Sequence, residues 1–390
     1  MMKIKNKQFF NRKILMTLVV GTNVILGGTA VYAEEPQKFT LDEYVVTATR
    51  TELSRKEVPQ SVEVITKEDI QNIGATNVID ALRTATNIEI PEAAGVGHTL
   101  GIRGSGKNDV LVLLNGRRIP GEGYGQVSTN TYVLSRLNVN NIERIEVLRG
   151  PSGALYGSEA SAGVINIITK KSEKKSMTVG VATNSREMSN YYHFDSGKDG
   201  KLSAAFDANF TKVRYFKWDD ANMSKYFGPT QNYSLDVDYE NTNQQFKKFT
   251  SASGPFSYLG IYNVDRKSAS LTYNGQNDNS NYMLSATYGE LKKDVTSAMS
   301  ANSVGSSKFN FWNIEARDTI KLDNNNRLTF GGEFRTDGRK DSSIDESSDQ
   351  YSLFIHDELK LGEKLLLIPA VRYDHHDSFG SETSPNIGAT

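Results

Sequence analysis

The chain contains no cysteine, which excludes disulfides and thiolate metal sites and suits an oxidising compartment. An excess of one charge is missing too. The 45 basic and 46 acidic residues leave a net charge of −1, so the footprint of a nucleic-acid binder is absent. No run after residue 33 is long and apolar enough for a membrane helix, and hydrophobic residues make up only 37% of the 390. These absences leave one kind of membrane protein open, because a transmembrane β-barrel is apolar on one face only. Trp is scarce, at 2, against 18 Tyr and 17 Phe, a balance that fits aromatic girdles on strands.

The apolar stretch that does exist lies at the start. Lys3, Lys5, Lys7, Arg12 and Lys13 precede the apolar Ile14 to Leu26, and Val31-Tyr32-Ala33 offers small residues to a signal peptidase. The pattern predicts a secretory signal peptide over 1–33. Residues 34–58 read as a polar N-terminal extension. Within it, Tyr44 to Thr47 has strong β-propensity. This short strand is either the first strand of the following domain or one held for another protein to pair with by β-augmentation.

Residues 59–171 read as one small mixed domain. Ser61 to Ile65 alternates as a strand, Thr66 with Asp69 signals a capped helix start, and Asn77 caps a second helix carrying Val78, Ile79 and Leu82 on one face. Leu100 to Gly104 and Val110 to Leu114 read as strands, and Asn115-Gly116 as a tight turn. Gly-rich loops span Glu92 to Thr99, holding His98, and Pro120 to Asn130, holding Tyr124 and Gln126. The stretch Asn141 to Lys171 closes the domain. In it a strand over Ile142 to Val147, two glycine-rich breaks and a buried strand over Val164 to Ile168 follow one another.

From residue 172 onward the period changes to two. Leu202 to Phe210, Tyr282 to Tyr288, Leu328 to Phe334 and Tyr351 to Leu361 alternate apolar or aromatic residues with small or polar ones. Short turns such as Asn274 to Ser280 and Asp323 to Asn326 alternate with longer loops, Lys212 to Asn263, Lys293 to Ser307 and Asp337 to Asp349. That is the pattern of an antiparallel transmembrane barrel with about ten strands present. Barrels that enclose a separate plug have about 22 strands, so the chain is expected to be an N-terminal fragment of such a barrel. The sequence shows no nucleophile–base spacing and no zinc signature. Its five His (98, 193, 356, 375 and 376) form no helical motif, and His375 and His376 point to opposite faces of a strand. Neither an enzyme, a resident metal nor a cofactor is expected.

Several segments resemble one family together. They are Glu43-Tyr44-Val45-Val46-Thr47-Ala48, Gly101 to Gly104, Val112 to Arg117, Glu143 to Ser152, Ala154 to Gly157 with Gly163 to Ile167, and Ala370 to His376 with Phe379-Gly380 and Ser384-Pro385. They resemble TonB-dependent outer-membrane receptors, in the group of the colicin I receptor and the ferric-catecholate receptors. The resemblance implies a plug domain inside a multi-pass β-barrel of the cell outer membrane. It implies energy-coupled import of a ferric siderophore of the catecholate class; cobalamin or haem import by the same mechanism is the alternative, and a passive porin-like channel a reading from another class. TonB, with the inner-membrane proton-motive complex, is the implied partner, pairing with Glu43, Tyr44, Val45, Val46, Thr47 and Ala48. Substrate is expected at plug loops bearing His98, Tyr124 and Gln126. The family also ties plug to barrel by Arg–carboxylate pairs. Arg103 and Arg149 stand at the matching plug positions, and strand parity turns Glu333 and Glu358 toward the lumen. A four-residue lock of Arg103, Arg149, Glu333 and Glu358 is therefore expected, since buried charges require partners.

Overall fold

The computed structural model describes residues 44–51, 53–93, 97–98, 100–106, 109–119, 134, 137, 139–170, 174–183, 187–197, 203–213, 217–228, 233–247, 259–297, 305–362 and 365–390. It opens with β1 (Tyr44–Val45) paired antiparallel to β2 (Leu53–Ser54). Next comes β3 (Ser61–Thr66), which runs into α1 (Lys67–Asn72). The start of α1 is a capping box. Thr66 Oγ1 accepts from the Asp69 amide at 3.1 Å, while the Asp69 carboxylate accepts from the Thr66 amide at 2.9 Å. Asn77 Oδ1 accepts from the Asp80 amide at 3.0 Å and starts α2 (Val78–Leu82), whose Val78, Ile79 and Leu82 are buried. Both helix starts fall where the sequence places them.

Four small strands differ from expectation or add to it. β4 (Ile88–Glu89), β5 (Glu92–Ala93), β6 (Gly97–His98) and β7 (Gly101–Ile102) follow, with β4 paired to β7 and β5 to β6. The Glu92 to Thr99 stretch is thus partly a hairpin. The strand expected over Leu100 to Gly104 ends at Ile102, because Arg103 and Gly104 turn with φ of 53° and 76°.

A five-stranded sheet forms the centre of the domain. β8 (Val110–Leu114), β9 (Arg117–Arg118), β10 (Ile142–Arg149) and β11 (Gly163–Thr169) join β3 in the order β3-β10-β11-β8-β9. The β11–β8 pair is parallel and the others are antiparallel. Asn115 and Gly116, at φ of 53° and 77°, make the two-residue turn from β8 to β9, the left-handed pair such a hairpin requires. Between β10 and β11 lies α3 (Gly153–Tyr156). Both sheet faces are covered. Ile145, Val147, Ile165 and Ile167 pack with the two helices on one side. Val62, Val64, Leu148 and Val164 pack on the other with Val45, Ala48, Leu53, Val58 and α3. Val45, Ala48, Leu53 and Val58, which precede position 59, therefore belong to the core of this domain.

The remainder is one antiparallel sheet of twelve strands in sequence order. They are β12 (Lys175–Thr183), β13 (Glu187–Ser196), β14 (Ser203–Val213), β15 (Lys217–Gly228), β16 (Tyr233–Lys247), β17 (Leu259–Gln276), β18 (Ser280–Ser297), β19 (Gly305–Lys321), β20 (Asn326–Lys340), β21 (Asp345–Leu361), β22 (Leu365–His376) and β23 (Gly380–Ala389). Twelve strands replace the expected ten. The difference lies in Lys212 to Asn263, expected as a long loop and occupied instead by β15, β16 and the start of β17. The other two expected loops shrink as well, because β18 to β21 extend to Ser297, Gly305, Lys340 and Asp345. Backbone pairing continues past the apolar band, where neither face needs apolar residues, so the period-two signal fades before the strand does.

This sheet is apolar on the outside. Leu271, Leu284, Trp312, Leu353 and Ile387 are exposed, Leu353 by 65% and Ile387 by 74%. Their strand neighbours Ser270, Thr272, Ser285, Thr287, Asn313 and Ser352 are buried. Outward rings meet across strands, as Tyr288 and Trp312 do at 4.7 Å. A soluble sandwich buries the opposite set. No helix among the described residues is long and apolar enough to cross a membrane.

Candidate functional site at the contact between the two sheets

The two sheets meet through buried charge. Arg118, at the end of β9, donates from Nε to Glu333 of β20 at 3.0 Å and also pairs with Glu159. Arg372 of β22, fully buried, donates from Nη2 to the other Glu333 oxygen at 3.0 Å and from Nε to Asp374 at 2.9 Å. Both guanidiniums also cap α3: Arg118 donates to the Tyr156 carbonyl at 2.5 Å and Arg372 to the Leu155 carbonyl at 3.4 Å. Cations at a helix C-terminus satisfy carbonyls the helix leaves open. Gly157 ends the helix at φ 87° and ψ −178°, a conformation only glycine adopts readily. Burial opposes the Arg118 charge, but Glu333 and Glu159 outweigh it and its pKa is raised. Burial likewise disfavours a charged Glu159, yet Arg335 and Arg118 hold its carboxyl below the usual range. Arg335 Nη1 lies 3.1 Å from Glu159.

A second set of contacts holds the N-terminal segment. Arg50, at φ 60°, pairs with Glu315 of β19 and lies between the rings of Tyr156 and Phe354, 4.5 and 4.6 Å from their centroids. Thr51 donates to Glu358 of β21, which also pairs with Arg327. Glu146 of β10 is wholly buried. Its Oε2 accepts from the Val46 amide at 3.0 Å, the Thr47 amide at 2.9 Å and the Thr47 hydroxyl at 2.5 Å, while Arg144 holds Oε1 at 2.8 Å. Asn166 donates to Thr47 Oγ1 at 3.1 Å, and the Tyr156 hydroxyl donates to the Thr47 carbonyl at 2.9 Å. Burial pushes the Tyr156 hydroxyl pKa up, so it remains a donor.

The expected four-residue lock does not assemble. Glu333 and Glu358 are buried, as parity requires, but they belong to separate clusters. Arg103 is exposed in the turn after β7. Arg149 stays inside its own domain, paired with Glu63 of β3 and donating to the Thr86 carbonyl at 3.0 Å. Position 149 is opposite Ser61 and Gly163 in the sheet, and its side chain is spent before it can reach another strand system. Arg118 takes the place expected for it. The signals for Arg118, Arg372 and Arg50 were thin: one follows a turn, one is offset by one from outward Val371 and Tyr373, and one needs a left-handed backbone that sequence does not announce. Tyr44 to Ala48 is folded onto the domain, with only Tyr44 well exposed. Glu43, Tyr124 and Gln126 lie outside the described residues. His98 is in β6 opposite Glu92, and its side chain is likewise outside the description. Among the described residues no group of three or more His, Asp or Glu could hold a metal. His375 and His376 face apart, toward Ser381 and Ser348.

A small two-faced domain fixed by salt bridges to an inside-out sheet matches known proteins. The TonB-dependent receptor plug domain matches residues 54–164, and the TonB-dependent receptor-like β-barrel matches residues 175–390. The chain belongs to the TonB-dependent receptor family. It is 28% identical to the vitamin B12 transporter BtuB of Vibrio vulnificus, with 92% of this chain and 61% of that protein covered. For the vitamin B12 transporter BtuB of Vibrio cholerae the figures are 27%, 88% and 59%. Among solved structures, the siderophore receptor PirA of Pseudomonas aeruginosa aligns with a TM-score of 0.66 at 23% identity, covering 84% of this chain and 58% of that one. A ferric enterobactin receptor PfeA of the same organism aligns at 0.69 and 19% identity, covering 88% and 61%. The chain thus spans about three-fifths of the length of the curated relatives it matches. The small domain is the plug, and the twelve strands are barrel strands of this outer-membrane family.

Proposed function

We propose that the chain serves energy-coupled import across the outer membrane, with Tyr44 to Ala48 as the strand that TonB engages. The observation that carries this reading is the way the segment is held. Its neighbours Arg50 and Thr51 are tied to barrel carboxylates, and Thr47 is tied to the plug. A pull on residues 44–48 is therefore delivered straight to the contacts between plug and barrel. The short turns 277–279 and 322–325 face the periplasm in this reading, and the strand ends at 341–344 and 377–379 face outward. A bound substrate at the plug's outer loops biases the plug toward releasing the segment. TonB adds a strand to it, and the proton gradient behind TonB supplies the work. No bond of the substrate is made or broken.

The cargo in this reading is a ferric siderophore of the catecholate class, supported by the resemblance of Ala370 to His376, Phe379-Gly380 and Ser384-Pro385 to that receptor group. Cobalamin is the second reading, favoured by the two vitamin B12 transporters at 28% and 27% identity. The test is growth of a strain lacking the full-length gene on single sources of catecholate, hydroxamate, haem or cobalamin. A catecholate defect, rescued by the intact gene but not by Tyr44→Pro, supports cargo and coupling together. A defect confined to cobalamin or haem overturns the cargo and keeps the coupling. Full rescue by Tyr44→Pro overturns the coupling.

A further inference from the structure

Residues Val46 to Thr49 are bent, not extended. In an extended strand successive amides point to opposite sides. Here the amides of Val46 and Thr47 converge on one oxygen of Glu146, at 3.0 and 2.9 Å. The Thr47 carbonyl is taken by the Tyr156 hydroxyl at 2.9 Å. The Thr47 hydroxyl donates to Glu146 and accepts from Asn166. Every backbone group that Thr47 could offer a neighbouring strand is thus already engaged by a plug side chain. The carboxylate is deep in the sheet, wholly buried, with Arg144 on its other oxygen.

We propose that Glu146 and Tyr156 form a clasp that occupies the backbone groups of Val46 and Thr47 a pairing strand would use, so that the segment is competent to pair only after the clasp opens. The proposal rests on the reading that Tyr44 to Ala48 engages a partner by strand addition. Glu146 and Tyr156 are positioning residues in this scheme. Tyr156 is also where the clasp meets the barrel contact: its carbonyl is held by Arg118 and its ring by Arg50. Arg118 lies at the end of β9, two residues before the stretch 120–130. A shift of Arg118 therefore moves the residue that grips Thr47. Opening costs several hydrogen bonds, one set of them to a buried charge, and a buried carboxylate left without its donors is strongly unfavourable. Release is accordingly steep: the carboxylate must exchange its amide donors for water as the segment leaves.

The absence of cysteine supplies the assay. Ala48→Cys places a thiol at a fully buried position of a stretch that has none of its own, and its rate of reaction with a maleimide, measured over that of the parent, reads clasp opening in the purified, full-length receptor without cargo or partner. Glu146→Gln keeps the shape but sets an amide NH2 where Arg144 or the segment donates. It is expected to speed labelling roughly 10-fold or more, and Tyr156→Phe a few-fold. Thr47→Val, which alters the segment and leaves the plug sheet intact, is expected to speed it as well and stands in if Glu146→Gln does not fold. Labelling rates equal to the parent in Thr47→Val and in folded Glu146→Gln overturn the clasp. Binding of a periplasmic TonB fragment is measured on the same variants. If the fragment binds none of them, the strand-addition reading fails, while the labelling rates still decide the clasp. If it binds all with the parent's affinity and labelling is unchanged, the reading stands and the clasp falls.

Discussion

The plug sheet and the barrel sheet solve opposite problems with the same strand geometry. In the plug, β10 and β11 bury apolar residues on both faces, because helices lie on one side and the N-terminal segment and α3 on the other. In the barrel, apolar residues face out and serines, threonines and charges face in. What stabilises the plug in its own core would be wasted on the barrel's outside without lipid, and what lines the barrel would be costly in the plug without partners. The contact between the two sheets is consequently bridged by ion pairs, with Leu366 and Ile368 of β22 adding an apolar patch against the plug. The comparison predicts that the largest single-residue effects lie at this contact and not in either sheet alone.

Glu333→Ala tests that directly. It strips Arg118 and Arg372 of the carboxylate they share and leaves two buried guanidiniums facing each other. Breaking a buried pair from one side costs about 3–5 kcal/mol. The expected result is a marked fall in the denaturant midpoint of the plug, followed by labelling of cysteines placed in β10, with the barrel's own unfolding little changed. Arg103→Ala, in an exposed turn, is the contrast and should leave the midpoint where it was. Equal effects from both would return the lock to Arg103.

Apolar substitutions should separate the two sheets by the solvent they are read in. Ile165→Ala opens a cavity in the plug core and is expected to cost about 2–5 kcal/mol in detergent and bilayer alike. Leu353→Arg places a charge on the lipid-facing side of β21. It is expected to cost about 2–4 kcal/mol when the position lies near the bilayer midplane, and little in detergent micelles that allow the side chain to reach water. Folding yields into vesicles and micelles distinguish them. A Leu353→Arg chain that inserts as well as the parent would mean the outward face is not a lipid face.

These contrasts also mark what the sequence disclosed. Strands whose faces differ were legible, because burial on one side imposes a period of two; β18, β20 and β21 are examples. β15 was not, since Lys217 to Gly228 carries no sustained alternation, and β16 alternates only over Tyr233, Leu235, Val237 and Tyr239 before turning polar. Caps at Thr66 and Asn77 were legible because a cap is local. The plug–barrel pairing was not: Arg149 and Arg118 both end plug strands, and only the register decides which meets Glu333. Lumen-facing parity for Glu333 and Glu358 was available; their partners were not, being 215 and 307 residues away along the chain.

Gly157 sharpens the contact on a smaller scale. With φ 87° and ψ −178° it occupies a region that costs another residue about 1–3 kcal/mol. A Cβ there would stand 3.5 Å from Arg372 Nη2 and 3.7 Å from Arg118 Nη2, ordinary contact distances, so strain and not collision sets the effect. Gly157→Ala is expected to lower the plug midpoint by less than Glu333→Ala does. If the two match, the backbone at 157 governs the contact more than the charges do.

The smallest effect belongs to charge at the strand ends, where solvent does what a partner does inside. Asp377, in the turn between β22 and β23, accepts from Ser348, from the Asp349 amide at 3.0 Å and from Ser378 at 3.1 Å. These donors hold its pKa down at about 2, below the ordinary aspartate value near 3.9. A folded-state pKa below the unfolded one means that the turn is favoured above the unfolded value and loses that advantage as pH falls through about 2. Carbon-13 titration of the aspartate carboxyls should place Asp377 near that value, and Ser348→Ala should move it upward by removing the first of its donors. Because Asp377 faces solvent, the stability that Ser348→Ala loses at neutral pH should be small beside the loss in Glu333→Ala. A loss in Ser348→Ala at neutral pH as large as that in Glu333→Ala would show that the strand ends are coupled to the barrel interior, and the division between a polar contact that matters and a polar rim that contributes little would have to be redrawn.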